Sequence, residues 1–384
     1  MARAPIVVAG LYLIVAVMAN ILVWNTSLFV ADTYLSIFDA KGYYSLGQQL
    51  WGSEPIDGAR LAQRGYLFAT LTFALLSFHP FALFVTQMSA VAVGLWALAH
   101  AEQRIAGRIR LTPIALLMPS VWLAPSHLMT ESFGFAFAAA GMLLVLTRVG
   151  PWAAVMLWMG ALIKPALLLG AFAALGIPLR RRMLLPLLII AALIAPQLVL
   201  TARVADHMAL TTAGTSNFVE RFHPAVMGMA TSGEIIRYRD PAAISIRNAA
   251  PRLSYKIADV VSNPVAAFRT WQYVLRRDHL WQTSGYLARN IDGLNWTVAE
   301  PLKRWSRLLN IGLSVLLPFA LTGIVFYLRS VPYFRWPAAV VGPGILLLAP
   351  LVYWQGDRVV FVGVLLMLPF ASLALAKIAQ RLPI

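Results

Sequence analysis

Ten apolar runs separated by charged punctuation constrain this chain more than any other feature. They fall near residues 5–25, 80–99, 111–125, 132–147, 151–163, 166–178, 183–202, 308–328, 337–354 and 359–376. A helix of about 20 residues crosses a hydrocarbon core roughly 30 Å thick, and a crossing segment must satisfy its own backbone. The expected fold is therefore all-α and integral to a membrane, with about ten transmembrane helices, several of them short. Composition agrees: 60% of the 384 residues are hydrophobic and 12% are charged. The mean hydropathy of +0.74 is more than a water-soluble fold could hide. The N-terminal run from Pro5 to about Trp24 is long enough for an uncleaved first helix.

Two function classes recede at once. With no cysteine there is no disulfide framework, thiolate metal site or cysteine nucleophile, so chemistry rests on carboxylates, bases or hydroxyls. The net charge of +16 sits mostly beside apolar spans, where membrane lipids with anionic head groups, and not nucleic acid, are the expected partner.

One segment departs from the pattern. Residues 203–307 are polar, are punctuated by Pro224, Pro241, Pro251 and Pro264, and carry fourteen Lys or Arg against eight acids. They are expected to form a helical extracytoplasmic insertion between two membrane portions, 1–202 and 308–384. Amphipathic stretches in it, with Trp271, Tyr273 and Trp281, suit a lipid surface, though a merely solvated cap fits equally.

Short-loop charge sets the orientation. Arg3, Arg104, Arg108, Arg110, Arg148, Arg180, Arg181, Arg182, Arg329, Arg335, Lys377 and Arg381 fall on one side, against the single acid Glu102. The positive-inside rule makes that side, and both termini, cytoplasmic. The first loop, 26–65, and the insertion then lie outside.

Helix rise acts as a ruler on this topology. Lys164 lies about 24 Å from both Arg148 and Arg180, which puts Lys164-Pro165 at the tip of a helical hairpin. Glu131 lies about 26 Å above Arg148, and Arg358 about 28 Å above Lys377. Asp39 is in the first outer loop, so four ionisable groups converge on the outer face. Charges at membrane depth are expensive and normally line polar cavities.

These residues carry a family resemblance. Asp39-Ala-Lys-Gly-Tyr-Tyr-Ser-Leu-Gly-Gln-Gln-Leu resembles the first-loop signature of the GT-C superfamily. This superfamily uses polyprenyl phosphate sugars and includes protein O-mannosyltransferases and the lipid A aminoarabinose transferase. Arg64-Gly-Tyr-Leu is similar to a shortened Arg-x-x-Gly-Tyr-Pro segment, and Leu128-Met-Thr-Glu-Ser-Phe to a Leu-Thr-Glu segment opening a helix. Gly160-Ala-Leu-Ile-Lys-Pro resembles the Gly-x-x-x-x-Arg/Lys-Pro hairpin. Gly356-Asp-Arg-Val resembles a late Gly-Arg-Tyr motif with valine replacing tyrosine. The pieces occur in family order and cover most of residues 1–170 and 350–376.

The resemblance implies a glycosyltransferase at the outer face of the cytoplasmic (inner) membrane. Its donor would be a polyprenyl phosphate sugar, and its acceptor a hydroxyl of a glycan, lipid or protein. Asp39 would be the base that takes the acceptor proton, with Glu131 positioning a sugar or binding a divalent cation. Lys164, Arg358 and Arg64 would hold the donor phosphate. Tyr43 and Tyr44 are candidates to stack on a sugar or to belong to an aromatic belt. His127 is a candidate substrate contact or an ordinary interfacial histidine. No cofactor is certain: a divalent cation is a candidate, and no Asp-x-Asp pair supports it. Rival readings are a polysaccharide polymerase or ligase using diphosphate-linked donors, a lipid or solute transporter, and a non-catalytic assembly partner.

Overall fold

In the computed structural model, residues 1–3, 25–28, 36–37, 128–129, 148, 181–182, 206–207, 238–239, 250–251, 281–294, 353–356 and 381–384 lie outside the described part. The backbone alone is described at 33, 38–39, 213, 278–280, 296, 352 and 357–359. Regular structure among the described residues is helical throughout. The membrane part begins with α1 (Ala4–Trp24), α2 (Ala31–Leu35), α3 (Phe38–Trp51), α4 (Gly58–Arg64), α5 (Tyr66–Phe78) and α6 (Pro80–Ala106). It continues with α7 (Pro119–Leu123), α8 (Glu131–Val145), α9 (Pro151–Ile163), α10 (Leu168–Arg180) and α11 (Leu184–Val204). The insertion carries α12 (Ala213–Asn217), α13 (His223–Thr231), α14 (Pro241–Ala249), α15 (Leu253–Ser262) and α16 (Pro264–Tyr273). The chain closes with α17 (Trp296–Ser330), α18 (Pro337–Val352) and α19 (Asp357–Ala379).

Among the described residues, five helices are long and apolar enough to cross a bilayer on their own: α1, α6, α11, α17 and α19. The helices α5, α8, α9, α10 and α18 are apolar but only 13 to 16 residues long. At 1.5 Å per residue they reach about 20–24 Å, short of a full hydrocarbon core. They pack inside the bundle: α8 lies between α6 and α9, and α18 between α10 and α19.

The expected span at 111–125 is not a helix. It is a 3₁₀ turn at Thr112–Leu117, the five-residue α7 and a second 3₁₀ turn at Ala124–Ser126. Pro113, Pro119 and Pro125 recur every six residues, and each removes a backbone donor and crowds the preceding turn. The carbonyls this path frees are taken by side chains of other helices. Asn20 Nδ2 donates to Trp122 O at 2.7 Å, Gln87 Nε2 to Pro125 O and His127 O at 3.1 and 2.8 Å, and Trp305 Nε1 to Leu117 O at 2.8 Å. Trp122 closes its own Leu116 O at 2.7 Å. Non-helical backbone is tolerated at membrane depth only when it is buried and satisfied in this way.

Two further departures position the site. The 13-residue α5, absent from the expected spans, packs on α3 and is separated from α6 by His79 alone. Tyr66 lies about 20 Å along α5 from that junction, and its contacts with Gln197 and Leu193 return the end of the first loop into the bundle. The outer limit of the insertion at 307 falls inside α17, a single helix of 35 residues. Its packing on α19 is close enough that a β-carbon at Gly323 would overlap the Phe370 carbonyl, as small residues permit between membrane helices.

Glu102, the lone acid among the short loops, is fully buried and structural. Its carboxylate accepts from the amides of Arg110, Leu111 and Thr112 at 2.8, 2.8 and 2.9 Å and from Thr112 Oγ1 at 2.6 Å. It thereby ties the end of α6 to the start of the broken span.

Candidate functional site

The site is built around the break between α4 and α5. Asp57 caps α4 by accepting from Arg60 N at 2.9 Å, a normal role for Asp at this position. The helix stops at Gly65, whose φ of 78° is costly for any residue with a β-carbon. There is also little space: a β-carbon on Gly65 would lie 3.2 Å from Leu162 O near the end of α9. Gln197 of α11 fixes the far side of the break. Its Oε1 accepts from Tyr66 N at 3.0 Å, its Nε2 donates to Leu61 O at 3.2 Å, and the Tyr66 hydroxyl donates to Leu193 O.

This turn lays Arg64 against α3. The guanidinium stands 4.9 Å from the Tyr43 ring centroid, a cation–π contact. It also fills the space beside Gly42, where a β-carbon would approach it to 2.6 Å. Tyr43 meets Phe68 edge-on at 4.8 Å, and Phe68 meets Phe133 at 6.0 Å. Tyr44 points elsewhere, against Phe73 at 5.6 Å.

Glu131 and Lys164, which the helix-rise count places at similar height, form an ion pair. Lys164 Nζ donates to Glu131 Oε1 at 2.7 Å, with side chains 5% and 1% exposed, so the pair is removed from water. Glu131 opens α8 and Lys164 ends α9, where Pro165 stops the helix. Glu131 Oε2 is buried and meets no hydrogen-bond donor among the described residues. The aromatic series Tyr43, Phe68 and Phe133 leads from Arg64 to within two residues of this carboxylate. Leu162 connects Gly65 to Lys164 equally directly.

In front of Arg64 opens a polar cleft of about 640 Å³, lined by Lys41, Ser45, Asp57, Arg60, Gln63, Arg64, Thr212, Ser216 and Glu220, among others. Arg60 bridges its walls, donating to Ser45 Oγ at 3.1 Å and facing Asp57 at 3.5 Å. The insertion completes the cleft through Thr212, whose amide donates to Ala62 O at 2.8 Å.

Asp39 and Arg358 are placed by backbone only, in the first turns of α3 and α19; Asp39 is one helical turn before Tyr43. His127 is a buried part of the broken span. Its Nδ1 lies 2.9 Å from Leu123 O and 3.2 Å from Ser126 Oγ, and its ring packs edge-on to Trp24 at 5.3 Å. The short Nδ1 contact with a carbonyl fits the tautomer protonated at Nδ1.

Sequence reasoning passed over Lys41, Arg60 and Gln197. Arg60 lies four residues before Arg64 on the same helix face, and Gln197 is a polar residue inside an apolar run; both are readable signals. Ser216 and Glu220 reach the cleft through tertiary folding and leave no local pattern. No protein-family model, curated protein or solved structure matches the chain.

Proposed function

We propose that this chain is a membrane glycosyltransferase of the GT-C type, with about ten crossings. It moves a sugar from a polyprenyl phosphate to a hydroxyl of a lipid, glycan or protein at the outer face of the cytoplasmic membrane. One observation supports the reading: Arg64, Arg60 and the Lys41–Ser45 side of α3 line one cleft in an apolar bundle that also buries the Glu131–Lys164 ion pair. Membrane proteins bury ionisable groups at a cost, and function is the usual reason.

In this reading Asp39 takes the acceptor O–H proton as the acceptor oxygen bonds to the anomeric carbon. The bond from that carbon to the phosphate oxygen breaks, and its electron pair leaves with polyprenyl phosphate. Arg64 and Arg358 neutralise the departing phosphate. Lys164, expected as a third phosphate contact, is instead engaged by Glu131, and neither residue lines the cleft; the pair's part is to fix the junction of α8 and α9 beside it.

The test is release of free polyprenyl phosphate by the purified protein in lipid, given a panel of polyprenyl phosphate sugars and crude membrane acceptors. The wild type is expected to release it and Asp39→Asn is not, while both bind donor. Full activity in Asp39→Asn removes Asp39 as base. Release by neither protein removes the donor class and leaves the diphosphate-linked polymerase reading. A transporter reading is favoured by one feature, the ion pair inside the bundle. Substrate flux across sealed vesicles without product release would establish it instead.

A further inference from the structure

The insertion carries a surface that the cleft does not use. On α15, Leu253, Ile257 and Val261 recur every four residues along one face and are all exposed, Val261 at 69%. Val265 and Phe268 of α16 extend the stripe, exposed at 63% and 57%. Such a row of large apolar side chains is costly in water and marks a contact. Its flanks are basic: residues 252–277 hold Arg252, Lys256, Arg269, Arg276 and Arg277 against the single acid Asp259. Asp259 is engaged by His223 at 3.0 Å. Beside the stripe, at the first turn of α16, a hollow of about 370 Å³ is lined by Ser262, Asn263, Arg269 and Met229, among others. It offers a cation and small polar groups, with no carboxylate.

The position of these helices identifies what they meet. Trp271 Nε1 donates to Leu347 O of α18 at 3.1 Å. Leu351, at the end of α18, packs with Phe222, Val226 and Ala266. Leu347 lies about 7 Å inside the end of an apolar helix about 24 Å long, so Trp271 in the last turn of α16 reaches below the end of α18, while Ala266 near its start packs level with that end. Interfacial helices bury their apolar face about 5–10 Å into the boundary between head groups and acyl chains. We infer that α15 and α16 lie in the outer leaflet of the protein's own bilayer. The stripe Ile257, Val261, Val265 and Phe268 enters the acyl region, and anionic phospholipid head groups occupy the Arg269 hollow. The inference does not depend on the proposed reaction.

The chain has no cysteine, so single labels are clean. Val261→Cys, Val265→Cys and Phe268→Cys, each with Ala258→Cys on another exposed face as control, are labelled with an environment-sensitive fluorophore. The full-length protein is placed in nanodiscs of phosphatidylcholine with phosphatidylglycerol. Lipids bearing a nitroxide near the head-group end of the acyl chain are expected to quench the three stripe labels about threefold more than Ala258→Cys, with aqueous iodide giving the reverse order. Arg269→Gln should weaken the lipid quenching at Val265→Cys, and so should replacing phosphatidylglycerol by phosphatidylcholine. Equal iodide access at all four positions overturns the inference. So does protection of the stripe from both quenchers, which would mean that a second copy or another protein covers it.

Discussion

The Glu131–Lys164 pair permits a quantitative test. Breaking a buried ion pair by removing one partner costs about 3–5 kcal/mol, whereas replacing both with uncharged groups of similar size is close to neutral. Lys164→Met should be the more damaging single change. It leaves a carboxylate 1% exposed with no hydrogen-bond donor at Oε2 among the described residues. Glu131→Gln should cost less, because Lys164 has a further partner of its own. At about 2.1 cal/mol/K of unfolding entropy per residue, a 384-residue chain unfolding as one unit loses roughly 4–6 °C of Tm for that energy. A larger loss follows if the membrane helices unfold separately. The double variant should recover most of the loss, a coupling of at least about 2 kcal/mol. The assay is thermal unfolding in one detergent, followed by intrinsic fluorescence and by retention of a monodisperse chromatographic peak. Two harmless single variants, or strictly additive effects in the double variant, would refute the idea that the pair is desolvated and coupled.

Other expectations follow from local geometry. Gly65→Ala forces a β-carbon into a conformation with φ of 78°, costing about 1–3 kcal/mol; a lowered Tm with weakened donor binding would show that the turn sets Arg64, and an unchanged Tm would count against it. Glu102→Gln replaces one acceptor oxygen with an amide that faces N–H donors, and should cost about 2–4 kcal/mol; limited proteolysis at 107–111 should become faster. Burial pushes the His223 pKa below the ordinary histidine value of 6.5, more than the Asp259 contact raises it. The folded insertion therefore favours the neutral ring. This contribution to stability is complete above pH 6.5 and is lost as the pH falls through the lowered value. Protease resistance of the insertion should decline over that range, and His223→Gln should flatten the decline.

The sequence was most legible where one dimension suffices. Counting helix rise from the flanking arginines put Glu131 and Lys164 at one height, and they form an ion pair. The hairpin at Lys164-Pro165 follows from what proline does to a helix. Legibility failed where apolarity and helicity part company. Residues 111–125 are as apolar as a helix, and only the six-residue proline spacing signals the broken path. The α5 segment was missed because 13 apolar residues ending in His79-Pro80 look like the prelude to the next span. The polar start of α17 continues into its apolar part without a break, so a change in polarity misplaced the end of the insertion at 307. The cleft joins Arg60 to Ser45 and Ala62 to Thr212, and contacts that distant in sequence have no period to read.

The broken span also orders assembly in time. A continuous helix can enter lipid alone, because its hydrogen bonds are internal; residues 112–126 cannot, because the carbonyls of Leu117, Trp122 and Pro125 are closed by donors elsewhere. Asn20 is made before them, but Trp305, which closes Leu117 O, is made 188 residues afterwards. During synthesis this wall of the bundle is held on one side only, and it sets when α17 arrives. The part from Trp296 onward, less than a quarter of the chain, thus acts as the keystone of the N-terminal half, and a chain stopped before Trp296 should retain its early helices while leaving this wall open to proteases.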